Sequence, residues 1–215
     1  MKQILSETDR DHLDKLIAEA ELKTKAQIVL ATVKRSDNYS EIPWKAFAFG
    51  SSIAGLAVFL LDLVQVRGMG TLVFFPVAII LATGTILVFL TIIFQGFARL
   101  FLSDSRRETE VMQYAESLFL SRELFATEDR RGILLLISQF ERKVVILPDK
   151  GVRDRLSIEV MNNIISKMTQ YLRKDEVRNA METGLKELTA ELRAMAPSGE
   201  DINELSNKII EEEGV

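Results

Sequence analysis

The residues with the clearest claim to chemistry are carboxylates. Asp129 and Asp149 flank two short apolar runs, at 133–138 and 143–147, and Asp154 follows a few residues on. Asp37 follows a third such run at 27–33. Grouped carboxylates hold Ca²⁺ or Mg²⁺ through oxygen, and a cation held in this way polarises a phosphate and activates water. Asp129 and Asp149 are the pair best placed as metal ligands. The same residues also have a purely local reading, with Asp129 and Asp149 in turns, Asp154 as a helix N-cap, and Arg130 and Arg131 as solvated counter-ions. There is no cysteine, which excludes disulfides and thiolate chemistry, and a single histidine removes most zinc sites. His12 sits beside Asp9 and Asp11 with no nucleophile pattern nearby, and reads as a surface residue. No Gly-rich phosphate loop, HExxH or GxSxG occurs, so no residue is assigned a catalytic role.

Whether these carboxylates meet depends on the elements that carry them. Residues 27–33, 133–138 and 143–147 are short and rich in β-branched and aliphatic side chains, which predicts strands. The run at 133–138 is apolar on both parities and suits a central strand covered on both faces. Four residues separate it from 143–147, so the two form an antiparallel hairpin that brings Asp129 and Asp149 to one sheet end. Gly151 permits a tight turn there. Asp37 joins that end if strand 27–33 runs parallel to 143–147. Apolar stripes at helical spacing predict helices over 6–23 (capped by Ser6 or Thr8), 104–124, 154–172, 176–195 and, in the tail, 201–212. The closing Glu211-Glu212-Glu213 reads as a solvated end.

The middle of the chain is different in kind. Residues 46–61 and 68–98 carry no charge. A bilayer core about 30 Å thick takes about 20 apolar residues to cross as a helix. The second run meets that length, and the first does so if it extends to Val66. Two spans with a short tip make a transmembrane hairpin. Lys34, Arg35 and Lys45 precede it and Arg99, Arg106 and Arg107 follow it, against Arg67 alone at the tip, which predicts cytoplasmic N- and C-termini at the inner membrane. Trp44 stands where an interfacial aromatic belongs, and the Arg99, Arg106, Arg107 group is placed to meet lipid headgroups. Gly50 with Ala54, and Ser51 with Gly55, are small residues four apart, suited either to a partner helix or to packing within the hairpin. The N-terminus has no apolar core of signal-peptide length. A net charge of −4 argues against nucleic acid as a partner.

The resulting order is helix, strand, apolar hairpin, helix, strand, strand, helix, helix. The expected fold is therefore α/β: an α/β/α sandwich interrupted by a two-helix transmembrane hairpin. The expected divisions are 1–45 and 99–196 as the two parts of one soluble domain, 46–98 as the hairpin, and 197–215 as an acidic tail. The split requires both hairpin ends on one side of the membrane.

Two stretches carry a resemblance. Residues 20–29, Ala-Glu-Leu-Lys-Thr-Lys-Ala-Gln-Ile-Val, resemble the AE-x-x-T-x-G-E-I-x-V opening of the TPM domain family. Arg131-Gly-Ile-Leu-Leu-Leu-Ile-Ser, Glu141-Arg-Lys-Val-Val-Ile and Asp149-Lys-Gly-Val are similar to its second apolar block. A hairpin after the first strand looks like the family's bacterial membrane-bound branch. The family's Gly-Glu is Ala26-Gln27 here, and its acidic-Asn-Gly turn reads Asp129-Arg130-Arg131-Gly132. The resemblance implies an α/β/α sandwich, with acid phosphatase activity in some members, calcium-type metal binding in some, and accessory roles at membrane complexes in others.

Three functions follow as expectations. The preferred one is a membrane-anchored, non-catalytic accessory or scaffold module that binds a membrane-protein partner or itself. The alternative is a Ca²⁺- or Mg²⁺-dependent phosphatase using the acidic edge. A remote third is an oligomeric channel, for which Thr83, Thr85, Thr91 and Gln95 are the available polar groups.

Overall fold

The structure is a computed structural model that describes residues 5–64, 74–127, 129–193, 205 and 207–214. The chain forms two compact units, Met1–Asp37 with Arg107–Val215, and Asn38–Arg106.

The first unit is a four-stranded sheet with helices against both faces. Its strands are β1 (Gln27–Arg35), β2 (Gly132–Ser138), β3 (Lys143–Pro148) and β4 (Ile210–Gly214), in the order β3-β2-β1-β4. β1 runs parallel to β2, with Gln27 opposite Gly132 and Val33 opposite Ser138. β2 and β3 form the expected antiparallel hairpin. Strand alternation sorts the core. Ile28, Leu30, Ile133, Leu135, Ile137, Val144 and Ile146 meet α1 (Glu7–Thr24), α7 (Ile158–Leu172) and α8 (Val177–Leu192). Val29, Ala31, Val33, Leu134, Leu136 and Val145 meet Val111, Ala115, Leu118 and Phe119 of α5 (Asp104–Ser121). β2 is buried along its whole length, as its unbroken apolar run requires.

The helix ends have local causes. Ser6 caps α1, its Oγ accepting from the Asp9 N–H, and Lys25 closes the helix in the left-handed region. After β3 the structure departs from expectation. Asp154 does not open the next helix. Asp149 caps a short helix α6 (Lys150–Arg153), Asp154 lies at its C-cap, and α7 starts later with Ser157 as its cap. The tail departs further, because Ile210–Gly214 is a strand and not part of a helix. Residues 201–204 and 206 of that expected helix, and 65–73 of the expected spans and tip, lie outside the described residues.

The second unit holds α2 (Glu41–Val64) and α3 (Phe74–Ile93), followed by α4 (Gln95–Ala98) and a 3-10 turn, Arg99–Phe101. Both long helices have the length and composition to cross a membrane. They pack antiparallel, Gly50 against Gly84 and Leu87, and Gly55 towards Ile80. A Cβ on Gly84 would overlap Ser51 Oγ and come within 2.9 Å of the Phe47 ring, so the small residues let the two backbones approach. Gly50 and Ala54 are therefore used within the hairpin. Elsewhere the helices are bare: 11% of each apolar window is buried.

Candidate functional site

The β2–β3 hairpin brings Asp129 and Asp149 to one end of the sheet, and the turn there is tightly built. A Cβ on Gly151 would overlap the Asp129 carbonyl oxygen and sit 2.8 Å from that of Arg130, so this position admits only glycine. Gly151 N–H donates to the Arg130 carbonyl, and Asp149 N–H to that of Gly132. Arg130 lies in the left-handed region at φ 55°, a conformation that Asn or Gly would adopt more cheaply.

The guanidinium of Arg130 faces the Asp149 carboxylate in bidentate fashion, with Nε 2.6 Å from Oδ2 and Nη2 2.9 Å from Oδ1. Asp149 Oδ1 also accepts the Lys150 N–H, which is its capping contact. The Asp149 side chain is 4% exposed and that of Arg130 47%. Burial alone would raise the Asp149 carboxyl. The hydrogen bonds from Arg130 and the Lys150 N–H, with the charges of Arg130 and Arg153, outweigh it and hold the group below the usual carboxylate value. Asp129 is 61% exposed and pairs with Arg131 at 2.7 Å.

This donor set does not fit a divalent cation as it stands. The Arg130 guanidinium takes both oxygens of Asp149, and Arg131 pairs with Asp129. Among the described residues, no three His, Cys, Asp or Glu side chains group around a common point. Asp154 sits at a helix C-cap. Asp37 is not part of this edge: β1 runs parallel to β2 and therefore opposite to β3, which sends Asp37 to the far end of the sheet.

That far end holds a polar cluster that the sequence reading missed. Glu141, in the hairpin loop, is 1% exposed. It accepts the Ser36 N–H at 3.0 Å and the Ser138 hydroxyl, while Ser36 Oγ donates to Ser138 Oγ at 2.9 Å. Arg35 lies over the Phe140 ring at 4.5 Å. The cluster ties the end of β1 to the loop after β2. With Ser138 fully buried, it offers no nucleophile to a substrate. The signal in the sequence was weak: a serine closing an apolar run and a glutamate three residues later.

Two surface grooves have neither Asp129 nor Asp149 in their walls. One, of about 310 Å³, runs between α1 and α8 along Leu16, Lys23, Leu185 and Arg193. The other, of about 370 Å³, lies beside β4 and is lined by Val29, Arg122, Leu124, Lys208 and Ile209. His12 is a surface residue, 3.7 Å from Glu182. In the second unit Trp44 is 73% exposed, Arg106 lies 3.8 Å from Glu41, and Arg99 begins the 3-10 turn. Arg107 follows in α5.

Comparison with known proteins places this geometry. The pattern of the TPM domain matches residues 99–191. Among solved structures, the NMR structure of BA42 protein from the psychrophilic bacterium Bizionia argentinensis is 14% identical. It superposes with a TM-score of 0.59 over 98% of this chain and 97% of its own, a likeness of fold. No curated protein matches the chain.

Proposed function

We propose that this chain, whose residues 99–191 match the TPM domain, is a membrane-anchored accessory module of the TPM domain family, which holds a partner of a membrane complex through its sheet-and-helix domain. One observation carries the reading: two long apolar helices are left uncovered inside the sequence of a single sheet. Phe49, Ile53, Leu56, Phe59, Phe75, Ile86, Phe89 and Ile92 are among the side chains left open. Hiding one such side chain is worth about 1.5–3 kcal/mol. The whole surface therefore amounts to tens of kcal/mol, beyond the ~5–15 kcal/mol net stability of a domain. A core helix of a soluble protein would be covered, and these are not. A bilayer supplies the missing apolar surroundings.

The topology agrees with an even number of crossings. β1 precedes the hairpin, β2 follows it, and the two are hydrogen-bonded neighbours. Two spans return the chain to the side it left, and the excess of Lys and Arg at the flanks favours the cytoplasmic side. Trp44, Arg99, Arg106 and Arg107 then belong at the headgroups, each basic residue worth about 1 kcal/mol at an anionic surface.

The geometry gives less support to the other functions. The Asp149 carboxylate is engaged by Arg130, so the phosphatase alternative rests on family resemblance. The hydroxyls of Thr83, Thr85 and Thr91 donate to carbonyls of their own helix, at Ile79, Leu81 and Val88, which leaves a channel lining without polar groups from them. Affinity purification of the full chain in mild detergent tests the proposal. Recovery of a defined membrane complex is expected. Clean isolation of this chain alone across several detergents would overturn it.

A further inference from the structure

The C-terminal strand β4 covers an edge that would otherwise stand open. In the order β3-β2-β1-β4 it has a neighbour on one side, and it pairs in parallel with residues 31–35 of β1. Its apolar contribution is small, with Ile210 packed against one core cluster. What fixes it is charge, delivered on alternate faces as strand geometry requires. Glu211 accepts from Arg10 Nε of α1 at 2.8 Å. Glu212 points to the other face, where it accepts from Arg122 at 3.1 Å and from the Tyr114 hydroxyl. Glu213 returns to the first face and accepts from Lys34 at 2.7 Å.

Three consecutive acids thus meet three cations, Arg10 of α1, Lys34 of β1 and Arg122 just after α5. The next position is also specified. Gly214 has φ +85°, and a Cβ there would overlap the Arg35 carbonyl oxygen, so this position must be glycine. Beside the strand, a groove along Val29, Leu124 and Arg122 is closed on its other side by the chain's own Leu205, Lys208 and Ile209, the residues that precede β4.

We propose that residues 31–35 of β1, with Arg10, Lys34, Arg122 and Tyr114, form a receiving edge for an acidic, extended segment of a partner protein, and that β4 is the chain's own occupant of that edge. The segment adds as a parallel strand and reads as one apolar residue, three acids and a glycine. Backbone pairing supplies affinity and the alternating cations supply selectivity, as in recognition by strand addition. The tethered tail competes at an effective concentration in the millimolar range. A partner gains the edge when it is itself held at the membrane close by. This inference rests on the accessory-module reading and names the partner's chemistry.

The test uses the full chain in neutral-lipid nanodiscs and a fluorescent peptide with the sequence of residues 205–215. Hydrogen exchange at residues 31–35 and peptide anisotropy are measured for wild type and for a Glu211→Lys, Glu212→Lys, Glu213→Lys variant. Exchange in the variant should rise about tenfold or more. The peptide should restore protection there and bind the variant about tenfold tighter than wild type, whose own tail competes. A peptide with alanine at the position of Gly214, and one with lysines for the three acids, should both fail. A second full-length variant, Arg10→Glu, Lys34→Glu, Arg122→Glu, should reverse the preference and take the lysine peptide.

Unchanged protection in the tail variant, equal binding of acidic and basic peptides, or equal binding to wild type and variant would overturn the assignment. So would a wild-type dimer whose dissociation alone exposes residues 31–35, since the occupant would then be a second copy. If the peptide fails while a membrane complex still co-purifies, this edge is refuted and the accessory reading stands. If the peptide binds and no complex is found, the reverse holds.

Discussion

Replacing Arg130 should destabilise the protein by more than a surface ion pair is worth. The guanidinium is about half exposed, and pairs of that kind contribute about 0.2–1 kcal/mol. Its partner Asp149 is almost fully buried, however. Arg130→Ala leaves that carboxylate with the Lys150 N–H and without its charged donor. An under-satisfied buried acceptor costs a further ~1–3 kcal/mol, so the expected loss is about 2 kcal/mol. Asp149→Asn keeps a capping side chain and removes the charge, and should cost about 1 kcal/mol. The double variant has no buried charge to strand. It should cost about 1.5 kcal/mol, which leaves a coupling of about 1.5 kcal/mol between the two sites. For a chain of this size, the Arg130→Ala loss appears as a fall in Tm of about 4–8 °C. Circular dichroism on heating, in one detergent for all four proteins, gives the cycle. Additivity within about 0.5 kcal/mol would refute the reasoning. Asp149 would then be indifferent to Arg130, and the acidic edge would be open to another partner.

The same pair sets a dependence on pH. Because the folded Asp149 carboxyl lies below its unfolded value of about 3.9, its contribution is fully present above that value. It is lost as pH falls through the folded value, and unfolding curves from pH 6 downward should show a shallower acid loss in Asp149→Asn than in wild type. Calcium or magnesium should leave the wild-type Tm unchanged, whereas a site saturated at about 100 times its Kd would add ~2.7 kcal/mol; such a rise in a thermal melt would reinstate the metal reading. Gly84→Ala should wedge α2 from α3, since its Cβ would overlap Ser51 Oγ. Overpacking of this kind costs about 1–3 kcal/mol. Cross-linking between the two helices should fall, and Ser51→Gly should restore part of it.

Much of the fold was legible because its causes are local. Ser6 followed by the Leu13, Ile17, Ala20 stripe specifies α1, and the β-branched runs at 27–33, 133–138 and 143–147 specify β1, β2 and β3. The failures have causes far away along the chain. Glu211, Glu212 and Glu213 look like a solvated helix end until Arg10, Arg122 and Lys34 are brought beside them by the sheet. Periodicity gives no strand direction, so Asp37 could not be separated from Asp149 before the parallel β1–β2 pairing was known. Ser36, Ser138 and Glu141 meet for the same non-local reason. Asp154 was displaced as a cap because Gly151 lets the chain turn immediately after Asp149.

The measurement that bears most directly on the split domain is sidedness. The chain contains no cysteine, so each single-cysteine variant reports one position. Lys15→Cys in α1, Lys174→Cys after α7 and Arg67→Cys between the two apolar runs should be probed with a membrane-impermeant thiol reagent in sealed inverted vesicles. Labelling of positions 15 and 174, with position 67 protected until the vesicles are opened, is the expected result. Protection of either 15 or 174 while the other reacts would place β1 and β2 on opposite sides of the bilayer and contradict the single sheet.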